Sequence, residues 1–423
     1  MSDRPNFIIF MSDDHGHADL SCMGATDFQT PNLDRIAERG AKFTQWYSNA
    51  PICSAGRCGI LTGRYPIAAG IPGNVGLTGG LSPEMPTIAK ALKDLGYQTC
   101  MSGKWHLGNR EPHLPHNHGF DHWFGFLNGC IDYYSHTFYW SLTSGRQARH
   151  DLWEDGVEIY RNGQYFIDLM TQKAIEYLQK QQETDSPFFL YMPFNTPHYP
   201  LHAPQDYMDR FAHLPRARQF MVAMLTVMDD AIGTILDELE RLDIFDNTCI
   251  VFQPDHGPSR EPRNWTDGSE DPYPGGDTGG LRGHKATLWE GGIRVPTLMS
   301  WPNRFEGGKT ITEVGIGMDI FPTFLQAAGG DPSQYTLDGT DILPMVADGA
   351  PSPHGDLFWT RGQKGAERAI RRDNFKLYLN GEDVHLSNLK TDRAETTNIA
   401  EDHPDLTRDL LDALNSWHRE ITR

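Results

Sequence analysis

The stretch Phe7-Ile8-Ile9-Phe10-Met11-Ser12-Asp13-Asp14-His15-Gly16 sets a short, continuously apolar run directly before a polar cluster. A run with no polar alternation reads as a strand buried on both faces, the situation of strands in a parallel sheet covered by helices. The pattern returns. Tyr97–Ser102 leads into Gly103-Lys104-Trp105-His106-Leu107-Gly108, Pro187–Met192 into Asn195-Thr196-Pro197-His198, and Thr248–Phe252 into Pro254-Asp255-His256-Gly257. Helical periodicity separates these runs, from Thr30-Pro31-Asn32 through Ile36, over Pro86–Leu95, over Tyr165–Lys180 and over Ala217–Leu242. Thr30 with Pro31 is a helix start, and Gly40 and Gly96 read as helix stops. Apolar strands alternating with helices imply an α/β fold, a mostly parallel sheet sandwiched by helices. Ligands in such sheets bind beyond the carboxyl ends of the strands, and four of those ends here carry Asp, His or Lys.

Beyond about Asp331 the texture changes. Arg371–Leu379 and Glu382–Leu386 read as short antiparallel strands, and His403–Ile421 as an amphipathic helix with Leu406, Leu410, Leu411, Leu414 and Trp417 on one face. The expected organisation is a main catalytic domain over residues 1–330 and a smaller C-terminal α+β subdomain over 331–423. Pro258–Gly280, rich in Gly, Pro and Asp, reads as a long loop able to act as a lid.

At 423 residues, with 38% hydrophobic and 22% charged content, the chain can bury a large core. No apolar run approaches the roughly 20 residues of a membrane span. Met1-Ser2-Asp3-Arg4-Pro5-Asn6 leads straight into the first strand, with no signal-peptide core, so the expected address is cytoplasmic, with no membrane partner. A net charge of −19 argues against nucleic acid and anionic membranes. An anionic ligand would need local lysines and arginines. Cys22, Cys53, Cys58, Cys100, Cys130 and Cys249 have no metal-finger spacing and read as reduced, mostly buried thiols.

Asp13-Asp14 after one strand and Asp255-His256 after another make a divalent-cation site. Adjacent acids alone are ordinary turn residues; two such groups, each behind a buried strand, are more telling. Oxygen ligands favour calcium, while an imidazole admits manganese, zinc or iron, so calcium is the first expectation and manganese the next. Cys53 opens Cys53-Ser54-Ala55-Gly56-Arg57-Cys58-Gly59-Ile60-Leu61-Thr62-Gly63-Arg64. If a helix starts there, its N-terminus is an anion site, and Arg57 one turn on would face the same anion. Lys104 and His106, two apart on extended chain, point to one side. His198 follows the third strand, with His202 nearby. Lys285 lies within Arg282-Gly283-His284-Lys285-Ala286-Thr287-Leu288-Trp289-Glu290-Gly291-Gly292-Ile293-Arg294-Val295-Pro296.

The Cys53–Arg64 segment resembles the signature of the type I, formylglycine-dependent sulfatases, in particular arylsulfatases and N-acetylgalactosamine sulfatases of the alkaline phosphatase superfamily. Asp13-Asp14, the Gly103–Gly108 block and the Lys285–Pro296 run are similar to further blocks of that family, and the resemblance covers nearly the whole chain. It implies an alkaline-phosphatase-like α/β sandwich with a minor C-terminal sheet. It implies hydrolysis of an aryl or carbohydrate sulfate ester, after a maturase has oxidised Cys53 to formylglycine. The implied metal ligands are Asp13, Asp14, residue 53, Asp255 and His256. A hydroxyl of the hydrated aldehyde would attack sulfur while Lys104, Lys285, Arg57 and the metal hold the charged oxygens. His198, with Lys285, would protonate the departing alcohol, and His106 would act as the base that lets sulfate leave. Asp132-Tyr133-Tyr134-Ser135-His136 resembles a substrate-side block, in which Ser135 and His136 either touch the sulfate or pack the loop.

Two positions depart from the family pattern. Ala55 stands where proline is usual, a change that the family's radical maturases tolerate. His256 stands where Asp-Asn-Gly is common, as it does in the branch that includes phosphonate monoesterases. A phosphonate monoesterase or phosphodiesterase, and a non-maturing anion- or glycan-binding protein, are therefore the alternatives. The expected partners are a small-molecule or oligosaccharide sulfate ester and the maturase. Trp105, Trp123, Tyr133, Tyr134, Tyr139 and Trp140 offer faces for stacking on a sugar or aryl ring, or else belong to the core.

Overall fold

The first apolar run forms the strand Asn6–Ser12, in the middle of a ten-stranded sheet. The computed structural model describes residues 4–76, 78–139, 148–260, 276–362 and 365–422. In spatial order the sheet runs Lys309–Ile311, Gly40–Phe43, Thr297–Ser300, Thr248–Pro254, Asn6–Ser12, Phe188–Pro193, Gln98–Lys104, His122–Phe126, Trp153–Glu154 and Val157–Glu158. The five strands from Thr248–Pro254 to His122–Phe126 are mutually parallel. Ser12 pairs with Pro254 and Met11 with Pro193, so the residues that follow these strands emerge side by side at one edge.

Burial on both faces explains the unbroken apolar runs. Ile8 and Phe10 enter a core shared with the helices Pro31–Glu38, Phe166–Gln181 and Arg216–Arg241. Phe7, Ile9 and Met11 enter a second core with Cys53–Thr62, Ile88–Asp94 and Ile320–Ala327. Arg216–Arg241 is long and apolar enough by composition to cross a membrane, but 83% of its apolar window lies buried inside the protein.

The sheet's flanks differ from the sequence expectation. Thr297–Ser300 runs antiparallel to both its neighbours, and Trp153–Glu154 runs antiparallel to His122–Phe126. Gly40, expected only as a helix stop, also begins a strand. A Cβ there would lie 2.0 Å from the Met299 carbonyl oxygen, so the strand pairing itself requires glycine.

In the C-terminal part, Asp356–Arg361, Glu367–Arg372, Phe375–Asn380 and Asp383–Asn388 form an antiparallel meander. Arg371–Leu379 is therefore a hairpin and not one strand; Asp373, at φ 51°, makes its turn. The terminal helix Pro404–Ile421 buries Leu410 and Leu414 against Ile370, Leu377 and Leu386. Truncating either leucine to alanine costs about 2–5 kcal/mol on general grounds. The segment before this sheet packs on the main body, where Ile342, Met345 and Val346 fill the second core. All six cysteines are free, with Cys22 half-buried and the others buried. Residues 261–275 of the expected lid, and Trp140, lie outside the described residues.

Candidate active site

The strand ends converge on the first turn of the helix Cys53–Thr62. Asp13 and Asp14 extend the strand Asn6–Ser12, and Asp255 and His256 extend Thr248–Pro254. Lys104 closes Gln98–Lys104, where Gly103, at φ 142°, turns its backbone against the Pro193 carbonyl. Cys53, Asp13, Asp255, His256, Arg57 and Lys104 are all buried. The Cys53 Sγ lies 3.6 Å from Asp13 Oδ1 and 3.1 Å from His256 Nε2. Burial pushes its thiol pKa far up, and the neighbouring Asp13 adds to this, so unmodified Cys53 is a protonated thiol and a weak nucleophile.

Arg57 does not face the ligand side. Its Nη2 lies 3.2 Å from Asp13 Oδ2 and 3.0 Å from Asp255 Oδ2. Its Nε donates to Asp255 Oδ2 at 3.1 Å and its Nη1 to the Lys104 carbonyl at 3.0 Å. With every nitrogen engaged and no exposed surface, it clamps the two carboxylates to each other and to the Lys104 strand end. The helical spacing to Cys53 set its direction, but the carboxylates reached it first.

Lys104 donates to Asp13 Oδ2. Lys285 places its Nζ 2.7 Å from Asp14 Oδ1, held there by a loop whose Lys285 and Ala286 N–H groups donate to the Pro258 and Pro51 carbonyls at 2.8 and 2.7 Å. Burial works against the Lys285 cation, but Asp14 and its other neighbours outweigh it and raise its pKa well above the ordinary value. Asp13 is held well below the usual carboxylate range: burial opposes this, and Lys104, His198 and Arg57 overcome it.

Asp14 behaves differently. Burial, aided by Asp13, pushes its carboxyl up to about 6 against the pull of Lys285, and neither of its oxygens accepts a hydrogen bond of good geometry. It also sits at φ 63°, a left-handed backbone that a non-glycine residue rarely holds. An under-satisfied buried carboxylate beside Asp13, Asp255 and His256 is what a divalent cation would satisfy. Asp13, Cys53, Asp255 and His256 have ligand atoms all within 4.8 Å of one another, as do Asp13, Asp14, Cys53 and His198. His256 Nδ1 donates to the Gly257 carbonyl at 2.9 Å, which leaves Nε2 with its lone pair facing this space. The donor set therefore fits a divalent ion.

His198 Nδ1 donates to the Tyr199 carbonyl at 2.7 Å, and its Nε2 lies 3.7 Å from Asp14 Oδ2. His106, at φ 54°, leaves Nδ1 without a partner. Burial lowers the pKa of both imidazoles well below the ordinary value; Lys285 adds to this at His198 and Lys104 at His106. His202 stands apart, 3.2 Å from Asp132.

Ser135 and His136 are not part of this cluster. The Ser135 N–H donates to Asp132 Oδ1 at 2.7 Å, and the buried His136 meets the Gln164 carbonyl and the rings of Phe166 and His150. The Asp132 turn folds His136 inward as packing and leaves Ser135 half-buried. Tyr133, from the same block, donates to the Asn195 and His198 carbonyls at 2.6 and 3.0 Å and so supports the His198 loop. Sequence reasoning also missed Ser54 and Asn74. Ser54 Oγ donates to the His106 carbonyl at 2.7 Å, and the Ser54 N–H donates to Asn74 Oδ1 at 3.1 Å. The serine was visible at a helix start; its partner 20 residues away was not.

Of the aromatics, Trp105, Trp123 and Tyr133 are buried core residues.

Comparison with known proteins agrees with this architecture. The family model described as Sulfatase matches residues 5–330, and that described as N-sulphoglucosamine sulphohydrolase, C-terminal, matches residues 283–420. N-acetylgalactosamine-6-sulfatase of Canis lupus familiaris is 32% identical over 392 residues, covering 85% of this chain and 69% of that protein. Arylsulfatase G of Rattus norvegicus is 30% identical over 464 residues, covering 97% and 87%. The crystal structure of Ps i-CgsB in complex with k-i-k-neocarrahexaose matches with a TM-score of 0.87 and 29% identity, covering 98% of this chain and 93% of that one.

Proposed function

Because the chain belongs to the sulfatase family of the alkaline phosphatase superfamily and hydrolyses sulfate esters, we propose that its buried cluster cleaves the sulfate monoester of a carbohydrate, with formylglycine made from Cys53 as nucleophile. The observation that carries this reading is Cys53 itself, at a helix head, with carboxylates on one side and Lys104 and Lys285 around it. The names of the relatives, an N-acetylgalactosamine-6-sulfatase and a protein crystallised with neocarrahexaose, support a sugar as the alcohol.

Asp13, Asp14, Asp255 and His256 would hold a divalent ion, calcium first and manganese next. Such an ion supplies positive charge and Lewis acidity next to residue 53. Formylglycine supplies a hydrated aldehyde, a nucleophile that the buried thiol is not. Three carboxylates (Asp13, Asp14, Asp255) balance three cations (Arg57, Lys104, Lys285), so a dication and an anionic ester can enter together.

Lys104, from a strand end, and Lys285, from its loop, orient the sulfate oxygens. Arg57 keeps Asp13 and Asp255 in place. The negative charge of a bound ester favours protonation of His198, which then donates to the departing alcohol from Nε2. His106, neutral because it is buried, takes up a proton through its ring nitrogen when sulfate leaves. The deciding experiment is the mass of the Cys53 peptide from protein made in the native host, together with turnover of a sulfated sugar. An active preparation with an intact thiol would remove formylglycine from this reading.

A further inference from the structure

The rim beside His106 carries a second polar network. A Cβ on Gly129 would lie 2.9 Å from His106 Cε1, so the chain at residues 128–129 lies directly on that ring. Asn128 is 8% exposed and its amide is fixed in direction: Nδ2 donates to Asp151 Oδ2 at 2.5 Å, as does the Asn128 N–H at 2.9 Å. Asp151, itself 2% exposed, is held further by the Trp153 indole N–H at 2.8 Å. The Asn128 Oδ1 consequently points the other way, where it accepts from Arg149 Nη2 at 2.6 Å and from Asn109 Nδ2 at 3.0 Å.

Both donors have capacity left over. The Asn109 Oδ1 is buried without a hydrogen-bond partner, three residues after His106. The Arg149 guanidinium lies 5.5 Å above the Phe138 ring and is half-buried, and among the described residues no carboxylate lies within ion-pair distance of it. In a chain with 56 acidic residues against 37 basic ones, an arginine preoriented by a neutral amide is unusual. Tying two loops together would need one of its five donors; the rest of the planar fork matches two oxygens of a carboxylate or sulfate.

We infer that Arg149, with Asn109 and Asn128, forms a subsite for a second anionic group on the sulfated sugar, a carboxylate or a second sulfate near the ester being cleaved. Asn109 Oδ1 accepts a sugar hydroxyl beside it. The substrate class is then an acidic oligosaccharide. This inference rests on the sulfatase reading of the Cys53 centre.

The test compares kcat/KM within two probe pairs: a hexosamine 6-sulfate alone and linked to a uronate, and a monosulfated and a disulfated hexosamine. Wild type is expected to prefer the doubly anionic member of at least one pair. Arg149→Gln is expected to reduce that preference about tenfold or more, with Arg149→Lys in between. The pair that loses its preference identifies the group that is read. Because each ratio is internal to one protein, partial misfolding of a variant cancels. A wild type with no preference, or a preference unchanged in Arg149→Gln, overturns the subsite while leaving the sulfatase reading intact. A wild type that cleaves no member overturns both.

Discussion

The Nε2 of His256 lies 3.1 Å from Cys53 Sγ because its other nitrogen, Nδ1, is held on the Gly257 carbonyl. The ring thus turns an unprotonated nitrogen to the centre, a candidate ligand beside the oxygens of Asp13 and Asp255. Replacing it tests which ion the protein selects. In His256→Asn, manganese affinity should fall about tenfold relative to calcium, read by titrating each ion into chelator-treated protein. An unchanged ratio would mean that this nitrogen is not a ligand. Chelation alone should abolish turnover in wild type, and readdition should restore it.

Arg57 holds Asp13 and Asp255 together without touching the ligand side. Arg57→Lys keeps the charge but loses the fork, and divalent-ion affinity should drop about 10–100-fold. Arg57→Ala leaves facing buried carboxylates uncompensated and should destabilise the metal-free protein by about 3–5 kcal/mol in urea unfolding. Wild-type affinity in Arg57→Lys would show that the clamp is dispensable.

Cys53→Ala removes the proposed nucleophile but leaves its surroundings in place. Turnover should disappear, while calorimetry with an intact sulfated sugar still registers binding through Lys104 and Lys285. Residual turnover at the wild-type rate would move the nucleophile elsewhere.

Glu290, Lys376 and Glu395 form a buried cluster behind the Lys285 loop. Lys376 lies 3.0 Å from each carboxylate, and the Glu290 N–H donates to Glu395 at 2.6 Å. Burial raises the Glu395 carboxyl to about 7 despite Lys376. A carboxyl with a raised folded pKa keeps a proton that the unfolded chain has already lost, so stability falls as pH rises from about 4.5 through 7. Glu290 is the opposite case: burial is outweighed by Lys376 and Arg294, its pKa falls to about 2, and its contribution is lost as pH drops from about 4.5 towards 2. Glu395→Gln should therefore flatten the decline in Tm between about pH 5 and 8 relative to wild type. Parallel Tm curves would show that Glu395 does not titrate in that window.

The parallel centre of the sheet was legible because strands such as Phe188–Pro193 are buried on both faces and therefore apolar at every position. Thr297–Ser300 and Gly40–Phe43 escaped notice because four-residue strands with mixed composition carry no period of their own. Their existence is decided by pairing partners more than 200 residues away. The site followed the same division. Acids placed directly after strands could be read as a cluster, since the register of a parallel sheet brings its strand ends together. Arg57 could be assigned a helix face but not an occupant for that face. Ser135 and His136 stay open between touching the sulfate and packing the loop when read from sequence, because nothing in a short block tells whether a turn points a side chain outward or, as the Asp132 turn does for His136, back into the fold.

Lys376 reaches from the small sheet to Glu290, five residues past Lys285, so the Lys285 loop and the C-terminal meander are a single inheritance. A chimaera that borrowed the meander from a relative without a lysine in register would strand two buried acids behind the loop. Grafts within this fold should therefore be cut ahead of residue 283, carrying the loop and its counter-ion across together.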